Sequence, residues 1–342
     1  MPDISTSQSQ KKSIGLGIDT TFDDTSIAVL SGKSEILSNL TLSQYKDHEA
    51  FGGVVPERAS RKHLEVIHFL IEKALAEAEL DFKSLDYIAV SHCPGLLGAL
   101  LVGVSVAKSL SYALDIPLIG INHVEAHPYA NFLIHSQMKF PMLHLVVAGG
   151  HTLLLHAEAH FKYKIIGSSV DDAAGECVDK VAKMFGYPMP GGPVVDQYAV
   201  NTRSDMHDFP RPMIHKKNFL FSFSGLKTAM LRFRETPEFQ KANEAEVLSS
   251  FFQSIVDVLI HKTFSAAKEL KLSSISVSGG LAASQKLRKS FEEESECRGI
   301  QLFYPPPKLC TDNAAMVTCL AAHRFEAQRW DDLSLPAFPN LY

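Results

Sequence analysis

One pattern of alternation occurs twice in this chain and restricts what it can fold into. Across residues 13–30, "SIGLGID" runs into "TTFDD" and then "TSIAVL": an apolar strand, a turn of small and acidic residues, and a second strand. "FPMLHLVVAGGHTLLLHAEAH", residues 140–160, repeats the arrangement with Gly149, Gly150, His151 and Thr152 in the turn. Two such hairpins in one chain predict duplicated halves that face each other. Between them, "SRKHLEVIHFLIEKALAEAEL" has apolar residues at helical spacing, "DYIAVSH" and "IPLIGI" read as strands, and "GLLGALLVGVSVAKSLSYAL" reads as a helix rich in small residues. Strands alternating with helices make this an α/β chain. A third glycine turn, in "SSISVSGGLAASQKLRKSF", leads from a buried strand into a helix, where backbone N–H groups could face an anion.

A chain of 342 residues, 46% hydrophobic and 21% charged, has the composition of a soluble globular protein and the length for two domains or two lobes. Its net charge of -5 argues against a protein that coats nucleic acid indiscriminately, so any polynucleotide must be met at a confined site. The cysteines, Cys93, Cys177, Cys297, Cys310 and Cys319, are scattered and include no C-x-x-C pair. Neither a disulfide framework nor a zinc ribbon is indicated, and a reducing cytoplasm fits. The opening 1–13, "MPDISTSQSQKKS", has no apolar core and no Arg-rich amphipathic pattern, and reads as a disordered tail rather than a targeting signal. "GLLGALLVGVSVA", residues 95–107, falls short of the roughly 20 residues that span a bilayer, so no membrane segment is expected.

Residues 168–234 differ in character, with turns such as "YPMPGGP" and "FPRPM" and few long periodic segments, and are expected to decorate the second half. From 203 to 234, Arg203, Arg211, Lys216, Lys217, Lys227, Arg232 and Arg234 stand against Asp205 and Asp208, seven bases to two acids. In an acidic chain, that local surplus is where a phosphate backbone would bind, with a solvated loop as the plain alternative.

"NHVEAH", residues 122–127, sets two histidines four apart. Asn122 can cap a helix that begins at His123, with Glu125 at its third position, which sets His123 and His127 on one helix face. Two imidazoles so placed reach one divalent ion but need a third ligand from elsewhere. The spacing is not H-E-x-x-H, which disfavours a zincin-type protease. Pro128 disfavours helical geometry at His127, and a pair of polar side chains on a wet helix face remains the competing reading.

Ten motifs in order, "IDTTFDDT", "FGGVVPERASRKH", "CPGLLGALLVG", "NHVEAH", "VVAGGHT", "DDAAGECVDKVA", "YPMPGGP", "FSFSGLKTA", "SGGLAAS" and "LCTDNAAM", resemble the TsaD family. These are bacterial-type tRNA threonylcarbamoyl transferases, once described as glycoprotein endopeptidases. The resemblance implies the two-lobed actin, acetate kinase and DnaK-like (ASKHA) fold with duplicated RNase H-like halves and a nucleotide-like ligand in the cleft. Residues 14–130 would form the N-terminal lobe, with 311–342 packing back on it, and 131–310 the C-terminal lobe. The implied activity moves a threonylcarbamoyl group from threonylcarbamoyl-AMP to the exocyclic amine of the adenosine beside the anticodon, in tRNAs reading codons that begin with A. It also implies one iron or zinc ion on His123, His127 and Asp312, and adenylate contacts at Val146, Val147, Ala148, Gly149, Gly150, Asp179, Gly192, Asp196 and Ser284. Asp23 is the candidate general base, and Lys216, Lys217, Lys227 and Arg232 are candidate tRNA contacts. A TsaB-like paralogue and a TsaE-like ATPase are the implied partners. An ASKHA-type ATPase or kinase, and a catalytically weak scaffold, are the alternatives.

The chain departs from the family pattern near the implied ligand. Asp19, Thr21, Phe22 and Asp24 replace Glu, Ser, Cys and Glu in the opening turn, and Cys93 and Ala148 replace Gly and Ser. Ser284 replaces Asn, and a hydroxyl lacks the paired donor and acceptor of an amide, a loss of about 1 kcal/mol per missing bond.

Overall fold

In a computed structural model, residues 12–49, 51 and 53–340 are described. The tail expected over 1–13 lies mostly outside them; of its described residues, Lys12 pairs with Glu35 and Ser13 O accepts from Gly32 N. The chain divides into two compact units, one of Met1–Leu42, Pro56–Asn122 and Asn313–Tyr342, the other of Ser43–Val55 and His123–Asp312.

In the first unit, β1 (Ile14–Asp19) pairs antiparallel with β2 (Asp24–Ser31), and β3 (Glu35–Ser43) lies outside β2. On the other side of β1, β4 (Tyr87–Cys93) and β5 (Leu118–Asn122) add in parallel, giving the order β3-β2-β1-β4-β5. The period-two pattern of β1 separates the two faces. Leu16 and Ile18 join a core with Ile67 and Leu70 of α2 (Pro56–Glu77) and Val104 and Ala107 of α3 (Leu97–Leu114). Gly17 points the other way, where a Cβ would lie 1.9 Å from Thr318 Oγ1 of α11 (Ala314–Glu326), so the missing side chain is what admits that helix. The amide of Ala314 donates to Ser26 Oγ at 2.8 Å, and Asn313 caps α11 through Met316 N. The helix α3 is 18 residues long with a mean hydropathy of 1.6, long and apolar enough by those measures to cross a membrane. Here it covers the sheet, turning Ala99, Leu100, Gly103, Val104 and Ala107 inward.

In the second unit, α1 (Tyr45–Glu49), α4 (His123–Ala126) and α5 (Tyr129–Phe132) are short. The units part between Asn122 and His123 rather than near 130, because α5 packs on the second sheet, with Asn131 Nδ2 donating to Val277 O at 3.1 Å. That sheet contains β6 (Met142–Val147), β7 (Thr152–Ala159), β8 (Lys162–Ser168), β9 (Ser274–Ser278) and β10 (Gln301–Phe303) in the order β10-β9-β6-β7-β8. Here β6 and β7 are antiparallel, as are β7 and β8, while β6, β9 and β10 are parallel. Read from its third strand, the order β8-β7-β6-β9-β10 repeats that of the first sheet. The repeated hairpin of the sequence is thus a repeated RNase H-like sheet.

Residues 168–234 are not a decoration. They form α6 (Ala174–Met184), α7 (Gly192–Asn201) and α8 (Ser224–Arg234), which join α9 (Glu244–Glu269) and α10 (Gln285–Arg298) around the second core. Cys177, Val181, Val195, Phe221, Phe223 and Leu226 from this region are fully buried there beside Phe251 and Phe252 of α9. Each large side chain so buried contributes about 1.5–3 kcal/mol of hydrophobic stabilisation. The helices escape a periodicity search because each is only 10 or 11 residues long, with Pro- and Gly-rich turns around α7.

Candidate metal centre and adjoining cavity

The strand β5 ends at Asn122, and α4 starts at His123 and stops at Ala126, so the two histidines do not share one continuous helix. His127 and Pro128 form a turn, with Pro128 at φ -55° and ψ -29° leading into α5. The rings nevertheless meet, 4.9 Å between centroids and 77° between planes. Both are buried, which excludes the wet-face reading. Asp312 reaches them from the end of the unit's chain path: its Oδ1 lies 3.4 Å from His123 Nε2 and 3.6 Å from His127 Nε2.

These three residues can be tested for metal fit on their own geometry. The donor set is two nitrogens and a carboxylate oxygen, with one atom from each within 4.8 Å of the others. Metal bonds of about 2.0–2.2 Å at tetrahedral angles set neighbouring ligand atoms about 3.3–3.6 Å apart, and both distances to Asp312 fall there. Three protein ligands also leave a position for substrate, as a catalytic ion requires. The residues fit. Burial pushes the Asp312 carboxyl up, but His123, then His127 and His151, outweigh it and hold the group well below the usual carboxylate range. His151, from the second hairpin turn, is itself lowered by burial and by His123. The motif "VVAGGHT" contained this histidine, but only the fold brings it within electrostatic reach of the triad.

A cavity of about 500 Å³ in the same unit is lined by Gly149, Asp179, Gly192, Asp196 and Ser284, five of the nine positions that the resemblance assigned to the adenylate. Thr311, next to Asp312, lines it too. Val146 and Val147 do not: they are buried in β6, with their backbones paired to β7. Ala148 and Gly150 belong to the following turn and are also absent from the lining, with Ala148 N donating to His151 O at 2.9 Å.

Two carboxylates shape the wall. Asp179 on α6 accepts from Gly191 N at 2.7 Å, tying α6 to the start of α7; burial raises its pKa against the lowering effect of the Gly191 and Gly192 amides. Asp196 on α7 accepts from Gln285 N at 2.9 Å and Lys286 N at 3.1 Å, at the N-terminus of α10, where a negative charge meets the helix dipole. Ser284 caps that helix, its Oγ accepting from Leu287 N at 3.0 Å while it donates to Asp196. The expected loss at Ser284 is therefore recast. Its one proton is given to Asp196, so at the cavity it lines the hydroxyl also ties α7 to α10.

The remaining candidates are less concentrated. Asp23 belongs to the first unit, in the turn between β1 and β2, whereas the triad and the cavity belong to the second. Lys227 is paired with Asp172 at 3.6 Å, Arg203 with Asp205, and Arg211 with Asp208 and Asp257, while Arg234 lies over Phe185 and Phe239. The basic surplus counted along the sequence shrinks because Asp172 and Asp257 lie outside the counted window. Lys216, Lys217 and Arg232 are exposed and, among the described residues, in no ion pair.

Comparison with known proteins places the chain among relatives. The family model for TsaD, tRNA N6-adenosine threonylcarbamoyltransferase, matches residues 35–319. A protein of that description from Clostridium perfringens strain SM101 is 45% identical over 332 residues, 96% of this chain and 98% of the relative. Another from Desulfitobacterium hafniense strain Y51 is 44% identical over 328 residues, 95% of this chain and 96% of the relative. Among solved structures, full-length HypF in its phosphate- and nucleotide-bound form aligns with a TM-score of 0.60 at 14% identity, over 94% of this chain and 57% of that one. The (R)-2-hydroxyglutaryl-CoA dehydratase component A of Acidaminococcus fermentans aligns at 0.56 and 11%, over 93% of this chain and 100% of its own. These two likenesses show the fold alone, which is of the ASKHA type. Near-complete coverage at such identity leaves one conclusion: this chain belongs to the TsaD family of tRNA N6-adenosine threonylcarbamoyltransferases.

Proposed function

We propose that the chain transfers a threonylcarbamoyl group from threonylcarbamoyl-AMP to the exocyclic amine of the adenosine next to the anticodon, in tRNAs reading codons that begin with A. The observation that carries this reading is adjacency: Thr311 lines the nucleotide-sized cavity, and the next residue, Asp312, completes the two-histidine cluster. In the reaction the amine nitrogen bonds to the carbamoyl carbon, the bond from that carbon to the phosphate oxygen breaks, AMP departs with the electron pair, and the amine gives up a proton. A good leaving group means that the protein's main task is alignment. Gly149, Asp179 and Asp196 all line the cavity, where the glycine backbone would admit the phosphate and the carboxylates would accept from ribose hydroxyls. A divalent iron or zinc ion on His123, His127 and Asp312 would supply Lewis-acid polarisation of the carbonyl and a grip on the threonyl group.

In the same reading, the exposed Lys216, Lys217 and Arg232 contribute to tRNA affinity, Lys227 acts mainly through Asp172, and Asp23 is the candidate base. A TsaB-like paralogue, a TsaE-like ATPase and a separate synthase for the adenylate complete the reading, with the cytoplasm as its compartment. The test is to incubate the protein, with and without the paralogue and the ATPase, with threonylcarbamoyl-AMP and tRNA, and to quantify the modified nucleoside. Formation of threonylcarbamoyladenosine is expected. Its absence with every partner present would replace the reading with that of a catalytically weak scaffold, and ATP turnover by this chain alone, without tRNA, with that of an ATPase or kinase.

A further inference from the structure

Asp312 arrives on an unusual segment. After β10 the chain runs Tyr304-Pro305-Pro306-Pro307 and then a 3-10 turn over Pro307–Leu309 to Cys310, Thr311 and Asp312. Three consecutive prolines have no backbone N–H to give, so this stretch can be anchored to the unit only through its carbonyls and side chains. The amides that follow bond within the segment itself, Leu309 N to Pro306 O and Cys310 N to Pro307 O.

One outside anchor is Arg288, which holds the segment at two points. From the first turns of α10, its Nη2 donates to Pro305 O at 2.6 Å and to Cys310 Sγ at 3.3 Å, closing both ends of the proline segment. Its Nε donates to Ala282 O at 2.6 Å, in the 3-10 turn Gly280–Ala283 that forms part of the cavity wall. The guanidinium carbon lies over the Tyr304 ring, 4.8 Å from its centroid. Its own backbone N donates to the O of Ser284 at 3.1 Å, the serine one turn earlier whose hydroxyl bonds Asp196. One planar fork therefore joins the segment that carries Asp312 to the wall that carries Ser284. A lysine, with a single point charge, has no such geometry.

We propose that Arg288 is a positioning residue that sets Asp312 against His123 and His127 and, through the same guanidinium, fixes the cavity wall, so that ion affinity and nucleotide affinity depend on one side chain. The inference rests on the metal reading above.

The test titrates metal-free protein with Co²⁺, followed by visible absorbance, and separately with AMP, for the parent, Arg288→Met, Arg288→Lys and Phe291→Leu. Loss of a group that orients a metal ligand weakens the metal by about 10–100-fold, and that weakening is expected for Arg288→Met, with a several-fold loss for AMP. Arg288→Lys should fall between Arg288→Met and the parent. Phe291, fully buried on α10, is the control for simple destabilisation: Phe291→Leu should lower the unfolding temperature and leave Co²⁺ affinity unchanged. Arg288→Met that folds and binds Co²⁺ as tightly as the parent overturns the inference. If Arg288→Met does not fold, an unchanged Co²⁺ affinity in Arg288→Lys overturns it instead. A parent that takes up no Co²⁺ removes the metal reading itself, and this inference with it.

Discussion

The turn between β1 and β2 and the turn between β6 and β7 stand at equivalent points of two sheets with the same strand order, yet one is filled and the other open. In the first, Thr21 O accepts from Leu96 N, Thr20 Oγ1 donates to Ala99 O, and a Cβ on Gly95 would lie 2.5 Å from Thr21 O. His63 closes it from the other side, donating through Nε2 to Phe22 O at 3.0 Å, which leaves Nδ1 to accept from Thr25 Oγ1 at 2.7 Å. In the second, Gly149 and Gly150 are exposed, Cβ atoms there would meet nothing within 4 Å, and Gly149 faces the cavity. Duplication supplied the frame twice. The residues packed against each turn decide which frame is left room for a ligand.

The widest separation between the two turns is expected in chemistry. Asp312→Asn should lose the ion and, if the ion is worth several kcal/mol in the transition state, about 10³-fold in tRNA modification, read by elemental analysis and nucleoside quantification. Asp23→Asn, in the filled turn, should retain the ion and lose about 10²-fold only if Asp23 takes the proton; unchanged turnover would remove Asp23 from the chemistry.

Stability should separate them next. Gly95→Ala drives a methyl into backbone and should cost about 1–3 kcal/mol in urea unfolding. Gly149→Ala should leave stability alone and weaken AMP binding several-fold. Equal destabilisation by both would mean that the second turn is not open in solution.

A smaller effect is expected at the wall. Ser284→Ala removes a helix cap and the donor to Asp196, costing about 1 kcal/mol, whereas Ser284→Asn keeps a capping side chain and should cost less; the reverse order would break the account of the departure from the family pattern.

The smallest effect is the pH dependence set by Asp179. Its folded-state pKa is raised from 3.8 by burial, so the folded protein holds the proton more tightly than the unfolded chain does. Stability from this group is then greatest below 3.8 and is lost as pH rises through the folded value, and Asp179→Asn should flatten the unfolding profile across that window.

Much of this was legible in residue order. The hairpins follow from period-two alternation, and the Gly-Gly turn before α10 appears where it was read, with Gly279 at φ 92°. Other features were not. The helices α6 to α8 hid behind prolines and glycines, the boundary at His123 depends on α5 packing against β9, and Asp172, the partner of Lys227, and Asp257, one of the two partners of Arg211, come from outside the stretch in which charge was counted. His151 and Arg288 lay in quoted motifs with no role visible, because the role of each is a contact.

By itself the sequence determined the two repeated hairpins, the α/β class and, through its ordered motifs, the family. Alternation and glycine placement act between near neighbours along the chain, so they survive being written as a string. Only the tertiary structure decided that His123, His127 and Asp312 meet, that Thr311 joins their cluster to a cavity, and that one of two equivalent turns is open. Those outcomes depend on where distant segments come to rest, and the proline segment held by Arg288 shows how much of that is settled by contacts between residues far apart in sequence.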